Sequence, residues 1–206
     1  MKKFLSILLF ISCLHVNAQG TLYGNHVIEP YVGFPNFGRY FPSLFDLTQN
    51  VEVVRYRGMA PSGLRYSYML RDEVSVGVDL IYNFSNQTYT AYDTVFQNGE
   101  WQYIQATGER NERRLRLQAR MNFHFSTLIP EADQYIGIAV GTNNRWLRNS
   151  KNGTLESLVK GNDAVLFPFS MRICYGFRYY FTYNLGINLE VGVGGPLLSA
   201  GLSYKI

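Results

Sequence analysis

Arg114-Leu115-Arg116-Leu117-Gln118-Ala119-Arg120-Met121-Asn122-Phe123-His124-Phe125 alternates polar and apolar side chains without an error. A period of two belongs to a β-strand with one wet face and one apolar face. At the usual rise per residue the run reaches about 40 Å, beyond the common strand of about 5–6 residues and suited to a tilted strand that crosses a membrane.

The same alternation returns along the chain and predicts eight strands, near 27–34, 62–70, 74–84, 114–125, 135–146, 165–179, 185–194 and 197–206. Pro30 weakens the first, because proline cannot donate to a ladder. The connections alternate in length. Segments 71–73, 126–134 and 180–184 are short, whereas 35–61, 85–113 and 147–164 are long and polar, and Gly194-Gly195-Pro196 is a tight exception among the latter. Short turns at one end and long loops at the other describe an up-and-down barrel with both termini in the periplasm. The expected fold is therefore all-β: an eight-stranded antiparallel up-and-down transmembrane β-barrel.

Export is written at the start of the chain. Lys2 and Lys3 precede the apolar stretch 4–14, and Val16-Asn17-Ala18 offers a cleavage site before Gln19. These are the parts of a secretory signal peptide, expected over 1–18, with one barrel domain over 19–206. Cys13 after Phe10-Ile11-Ser12 makes a poor lipidation box. Removal of the leader would leave Cys174 alone, so no internal disulfide is available. Hydrophobic residues make up 47% of the chain and aromatics 16%, yet outside the leader no stretch reaches the roughly 18 apolar residues of a membrane helix. A closed barrel is the remaining way to satisfy every backbone group in lipid. The net charge of +4 does not point to nucleic acid, since the arginines fall on alternate strand positions and form no exposed stripe.

A water-soluble lipid-carrying barrel would alternate in the same way, and small residues separate the two readings. The polar faces carry Gly77, Gly137, Ala139, Gly141, Gly176, Gly186, Gly192, Gly194 and Gly201 among large charged groups. Glycine weakens a solvent-facing strand but makes room inside a narrow barrel. The opposite faces are hydrocarbon, as in Leu185, Ile187, Leu189, Val191 and Val193, with aromatics toward their ends. Tyr82, Phe84, Phe167 and Phe169 would form the outer girdle, and Tyr68, Phe123, Phe125, Phe177, Tyr179 and Tyr204 the periplasmic one.

With polar faces inward, a second hairpin centred on Asp72 places Arg65 opposite Asp79. A hairpin centred on Phe181 places Arg172 opposite Glu190. Arg116 and Arg120 share that interior, so Arg65, Asp79, Arg116, Arg120, Arg172 and Glu190 are expected to form a lumen charge network, with Glu29 nearer the periplasmic end. Such groups could line a conducting path, but eight strands enclose space only for side chains, which favours a salt-bridged plug.

On these features the chain resembles small eight-stranded outer-membrane barrels of the OmpX and OmpA-transmembrane type, in the version common in Bacteroidota, over 20–206. The last strand, Gly201-Leu202-Ser203-Tyr204-Lys205-Ile206, is similar to the signal read by the barrel assembly machinery, although Ile206 stands where Phe or Tyr is usual. The resemblance implies residence in the cell outer membrane of a Gram-negative envelope, in contact with outer-membrane lipid and lipopolysaccharide. That family includes adhesins, structural proteins, narrow pores and a few enzymes, and the leading expectation here is a non-enzymatic role without cofactor or metal, with a surface ligand met through loops 35–61, 85–113 and 147–164. A narrow porin-like channel is the alternative. His124-Phe125-Ser126 is similar to the His-x-Ser element of lipid A deacylases, but Thr127 replaces that family's asparagine, so a lipid A-modifying enzyme is the weaker reading. Asp93-Thr94-Val95 resembles the short sites of O-glycan attachment in Bacteroidota.

Overall fold

The alternation becomes strand nearly everywhere it occurs. A computed structural model describes residues 20–36, 51–97, 100–151, 154–160 and 169–206, so the expected leader lies outside the described residues. Ten strands follow in order: β1 His26–Phe34, β2 Val51–Arg71, β3 Val74–Gln97, β4 Glu100–Phe125, β5 Ala132–Thr142, β6 Asn144–Lys151, β7 Thr154–Lys160, β8 Phe169–Tyr180, β9 Leu185–Val193 and β10 Leu198–Lys205. All pairings are antiparallel. Eight strands close a ring in the order β1, β2, β3, β4, β5, β8, β9, β10, and β10 returns to β1 through pairs such as Val27↔Lys205 and Phe34↔Leu198. The protein is a closed eight-stranded up-and-down barrel, and β6 and β7 extend the wall above β5.

Burial follows the pleat. Along β9, Leu189 is 47% exposed and its neighbour Glu190 only 1%. The same inversion, with apolar side chains out and polar side chains in, runs through Val32 and Tyr31, Leu80 and Asp79, Met121 and Arg120, and Ile173 and Arg172. From Leu185 to Val193 the apolar face of β9 rises about 20 Å along the barrel axis at the usual tilt, close to the roughly 25 Å apolar band of a membrane barrel. In water, an apolar band around the whole barrel would far exceed the few hundred Å² that soluble monomers expose. This surface is built for hydrocarbon.

The long connections are the main departure from expectation. Segments 85–97 and 100–113 continue β3 and β4 as one ladder that remains paired to Gln97↔Glu100, and 51–60 continues β2 alongside it. Loop 147–164 likewise contains β6 and β7, which pair with β4 and each other. The residues explain this. Thr88, Tyr89, Thr90, Tyr92, Thr94, Val95, Trp101, Tyr103 and Ile104 favour strands, but a ladder that no longer borders hydrocarbon needs no apolar side, so its polarity reads as loop. Asp93-Thr94-Val95 therefore lies within β3 near the hairpin tip. The expected fifth strand is divided at Asn143, where β4 exchanges β5, paired from Gln118↔Gly141 downward, for β6, paired from Leu115↔Asn144 upward. The start of the expected sixth strand, 165–168, and its Phe167 lie outside the described residues.

Register agrees with one expectation and corrects another. Arg65 pairs with Asp79. Glu190, however, pairs with Gly176, since the β8–β9 turn occupies residues 181–184 and Thr182 Oγ1 accepts from Leu185 N at 2.9 Å to close it. The ladder is centred beyond Phe181 by an even number of residues, so each side chain keeps its face while its partner changes. At the far end of β9, Gly194 adopts φ +88°, and a Cβ there would lie 1.8 Å from Met171 O. That backbone approach allows the tight Gly194-Gly195-Pro196 connection.

Candidate functional site

The barrel interior is packed with ionised groups. Among the described residues, the buried guanidinium groups of Arg65, Arg120, Arg172 and Arg178 face the buried carboxylates of Glu29, Asp79, Asp133 and Glu190. Four charges of each sign leave this set neutral. An isolated buried ion would be prohibitive, and mutual pairing with further hydrogen bonds is what allows so many to share a dry space.

Glu190 is the hub. One carboxylate oxygen accepts from Arg65 Nη2 at 2.8 Å and Arg172 Nη2 at 3.0 Å. The other accepts from Arg120 Nη2, from the Cys174 thiol at 3.1 Å and from Tyr135 Oη at 3.3 Å. Arg172 reaches Glu190 diagonally, which is how the pair meets despite the shifted register, and it also donates to Pro196 O at 2.8 Å. Asp79 lies 3.5 Å from Arg65 Nε and 3.6 Å from Arg120 Nη1, and accepts from Tyr31 Oη at 2.7 Å. Arg116 stands apart, half-buried at the long-hairpin end, where it donates to Asn143 Oδ1 at 3.4 Å and Gly194 O at 3.5 Å.

A second centre lies toward the short-turn end. Arg178 Nε donates to Glu29 Oε1 at 2.7 Å, and Arg178 Nη1 donates to Asp133 Oδ2 at 2.8 Å. Arg65 links the two centres by donating to Glu29 at 3.3 Å. The sequence reading named Glu29 but passed over Arg178 and Asp133. Arg178 shares the parity of Arg172 along β8, and that signal was sufficient to place it indoors.

Aromatic rings fill the space between the ions. Arg178 and Arg120 lie 4.3 Å and 5.4 Å from the centroid of Tyr135, and Arg65 lies 4.5 Å from that of Tyr31. Guanidinium groups on ring faces gain cation–π attraction while their edges donate. Tyr135 can cross the lumen because Gly176 is opposite it in the ladder, where a Cβ would meet Tyr135 Cζ at 2.1 Å. This is the close pairing of small and large residues that a narrow barrel requires.

His124 has a partner other than the expected one. Its Nε2 is 2.8 Å from Ser75 Oγ and its Nδ1 2.7 Å from Asp133 Oδ1. Ser126, in contrast, is exposed beyond the end of β4. The order Ser75, His124, Asp133 has the connectivity of an acyl-transfer triad. Its environment does not suit one. Ser75 is fully buried and already accepts from Asn122 Nδ2 at 2.9 Å, while Asp133 is shared with Arg178 and with Thr21 Oγ1 at 2.7 Å. A nucleophile needs access to its substrate, and this hydroxyl has none, so the chain of bonds ties β3, β4 and β5 together.

Beyond the apolar band, Glu112 accepts from Arg145 Nη2 at 2.7 Å and from Arg145 Nε at 2.9 Å, with Arg114 at 3.1 Å. These bonds pin β4 to β6 where the wall becomes a free-standing sheet. Burial opposes ionisation of Glu112, but the bonds from Arg145 and the charges of Arg145, Arg114 and Arg110 outweigh it and hold the carboxyl below its usual range.

No protein-family profile matches the chain, and no curated protein matches it. Among solved structures it is similar to the N-terminal β-barrel domain of Pseudomonas aeruginosa OprF, with TM-score 0.45, 14% identity and coverage of 90% of this chain and 100% of that one. It is also similar to the outer membrane protein OprG from Pseudomonas aeruginosa, with TM-score 0.39, 12% identity and coverage of 92% and 99%. The architecture of this chain rests on its own strand pairing: a closed barrel with a hydrocarbon exterior and an ion-paired interior.

Proposed function

We propose that this protein is a non-enzymatic barrel of the cell outer membrane that carries a sheet for surface contact or envelope integrity. The observation that carries the reading is the β3–β4 ladder, which stays paired from Phe84↔Arg113 to Gln97↔Glu100. Those residues extend about 40 Å past the apolar band. A flexible loop would pay conformational entropy on every encounter, whereas a paired hairpin holds its surface in one shape. On this reading the short turns face the periplasm, the long hairpins face outward, and β10 is the segment offered to the assembly machinery.

The test shortens the hairpin. Residues 87–110 are replaced by a two-residue Asn-Gly turn joining Asn86 and Asn111, which pair in the native ladder. The shortened chain should still enter the outer membrane and keep a heat-modifiable gel shift, while adherence or self-association of expressing cells falls. Unchanged adherence and unchanged detergent sensitivity of the cells would sink the proposal.

A further inference from the structure

The outward face of the wall changes chemistry where the apolar band ends. Leu80↔Leu117 is the last aliphatic pair, and the next outward row is Ser62, Tyr82, Leu115 and Asn144. Above it come Met59, Phe84, Arg113 and Trp146, then Arg57, Asn86, Asn111 and Arg148. These three rows contain arginines and no acid, and the row above them, Arg55, Thr88, Glu109 and Ser150, brings one carboxylate to the same face, diagonal to Arg148 and forming no ion pair with it among the described residues. Arg113 and Arg148 are exposed, and neither has an ion-pair partner among the described residues. Glu112, the nearest carboxylate in sequence, points to the opposite face, where Arg145 and Arg114 occupy it.

A groove of about 600 Å³ opens on this face, lined by Tyr82, Asn111, Arg113, Leu115, Trp146 and Arg148. Its floor continues the lipid-facing surface below, and its cationic groups stand one or two pleats above Leu115, about 7–14 Å along the strand. That is headgroup level for a lipid whose chains lie on the apolar band. Arg113 and Arg148 are diagonal neighbours on adjacent strands, about 7–8 Å apart at the backbone, a span that a phosphate between two guanidinium groups bridges. Trp146 supplies an amphipathic ring at the same height, where indole is favoured.

We propose that this groove binds the phosphorylated headgroup of an outer-leaflet lipid, with Arg113 and Arg148 holding phosphate, Trp146 packing on the sugar or glycerol and Leu115 on the first methylenes. The assignment rests on the membrane reading above and adds a defined ligand site to it. Its logic is charge complementarity: guanidinium groups with no ion-pair partner among the described residues, Arg113 resting 6.0 Å over the Phe84 ring, stand at the edge of a hydrocarbon surface and meet the anionic layer that such a surface borders.

Native mass spectrometry of the full mature chain in neutral detergent micelles tests it, with bis-phosphorylated lipid A and fully dephosphorylated lipid A as probes. Wild-type protein should retain the bis-phosphorylated probe at a concentration about tenfold lower than the dephosphorylated one, as one strong charge-assisted contact implies. The double variant Arg113→Gln with Arg148→Gln should lose that preference, and each single variant should lose part of it. Arg71→Gln, at the short-turn end, should keep it and so separates a site from net charge. Equal retention of the two probes by wild-type protein would overturn the inference, as would an undiminished preference in the double variant. Failure to enter micelles or to show a heat-modifiable shift would strike the membrane reading instead. A folded barrel indifferent to phosphate would remove this site alone.

Discussion

Arg65 and Glu190 are 125 positions apart in the chain, and their guanidinium and carboxylate groups meet at 2.8 Å in the middle of the barrel. The contact joins β2 to β9 across the lumen, so it orders the interior in a way that no hairpin does locally. It also makes Glu190 the point of greatest electrostatic leverage, because Arg65, Arg120 and Arg172 all converge there.

Glu190→Ala should therefore destabilise the barrel by about 3–5 kcal/mol, the cost of leaving buried charge uncompensated. Urea unfolding in detergent, followed by the heat-modifiable gel shift, measures it. Arg172→Ala should cost less, since it removes one donor from a carboxylate that keeps two other arginines. A smaller loss for Glu190→Ala than for Arg172→Ala would contradict the hub assignment.

Gly176→Val should cost about 1–3 kcal/mol by driving the Tyr135 ring from its place above the β8 backbone. In a Tyr135→Ala background the same change should cost much less, because the ring it meets is gone. Additive effects in the double variant would separate the two residues.

The Glu112–Arg145 pair gives the outer sheet a pH signature. A carboxyl held below its unfolded value contributes fully above about pH 4.3, and the contribution is lost as pH falls through the lower folded value. The Arg145 side-chain N–H resonance should persist down through pH 4.3 and fade only in stronger acid. In Glu112→Gln it should show no such transition. Fading that begins above the ordinary carboxylate range would be inconsistent with the pair as described.

Ser75 should behave as a structural hydroxyl. A fluorophosphonate probe should not label the folded protein, and lipid A from cells carrying Ser75→Ala or Ser126→Ala should have an unchanged mass. Labelling of Ser75 that His124→Ala abolishes would establish a nucleophile and reverse this reading.

The packed lumen should be electrically silent. In planar bilayers the wild-type barrel should give no discrete steps, because Arg65, Tyr135 and Glu190 fill its cross-section. Regular, saturable unitary currents altered by Arg120→Glu would favour the channel alternative.

How much of this was written in the residues depends on the physics acting on each segment. Between Val74 and Phe84 one side meets hydrocarbon and the other meets ions, so the pleat is stamped into the sequence and both faces were legible. Past Ser85 the outward side of the same strand no longer meets hydrocarbon, while Ser85, Gln87 and Thr90 stay buried among other polar groups. Asn86 and Thr88 on the outer side and Ser85 and Gln87 on the buried side are then all polar, the alternation vanishes, and a continued strand passes for a loop. Arg65 and Asp79 could be paired because residues 71–74 turn tightly. The partner of Glu190 could not, because a turn shows its composition more readily than its length. The Ser75–His124–Asp133 chain depends on three strands meeting, and adjacency of His124 and Ser126 in sequence pointed to the wrong hydroxyl.

The pairing of β1 with β10 closes the ring, and Lys205 Nζ at the end of β10 donates to Gly20 O at 3.0 Å, where the segment before β1 lies against the β4–β5 turn. Topologically the molecule is a ring that happens to be cut there. A circular permutant that joins Ile206 to Gly20 by a short linker and opens at the β3–β4 tip would keep every ladder of the wall. It would change only which strand is made last, and hence which edge must wait for its neighbour.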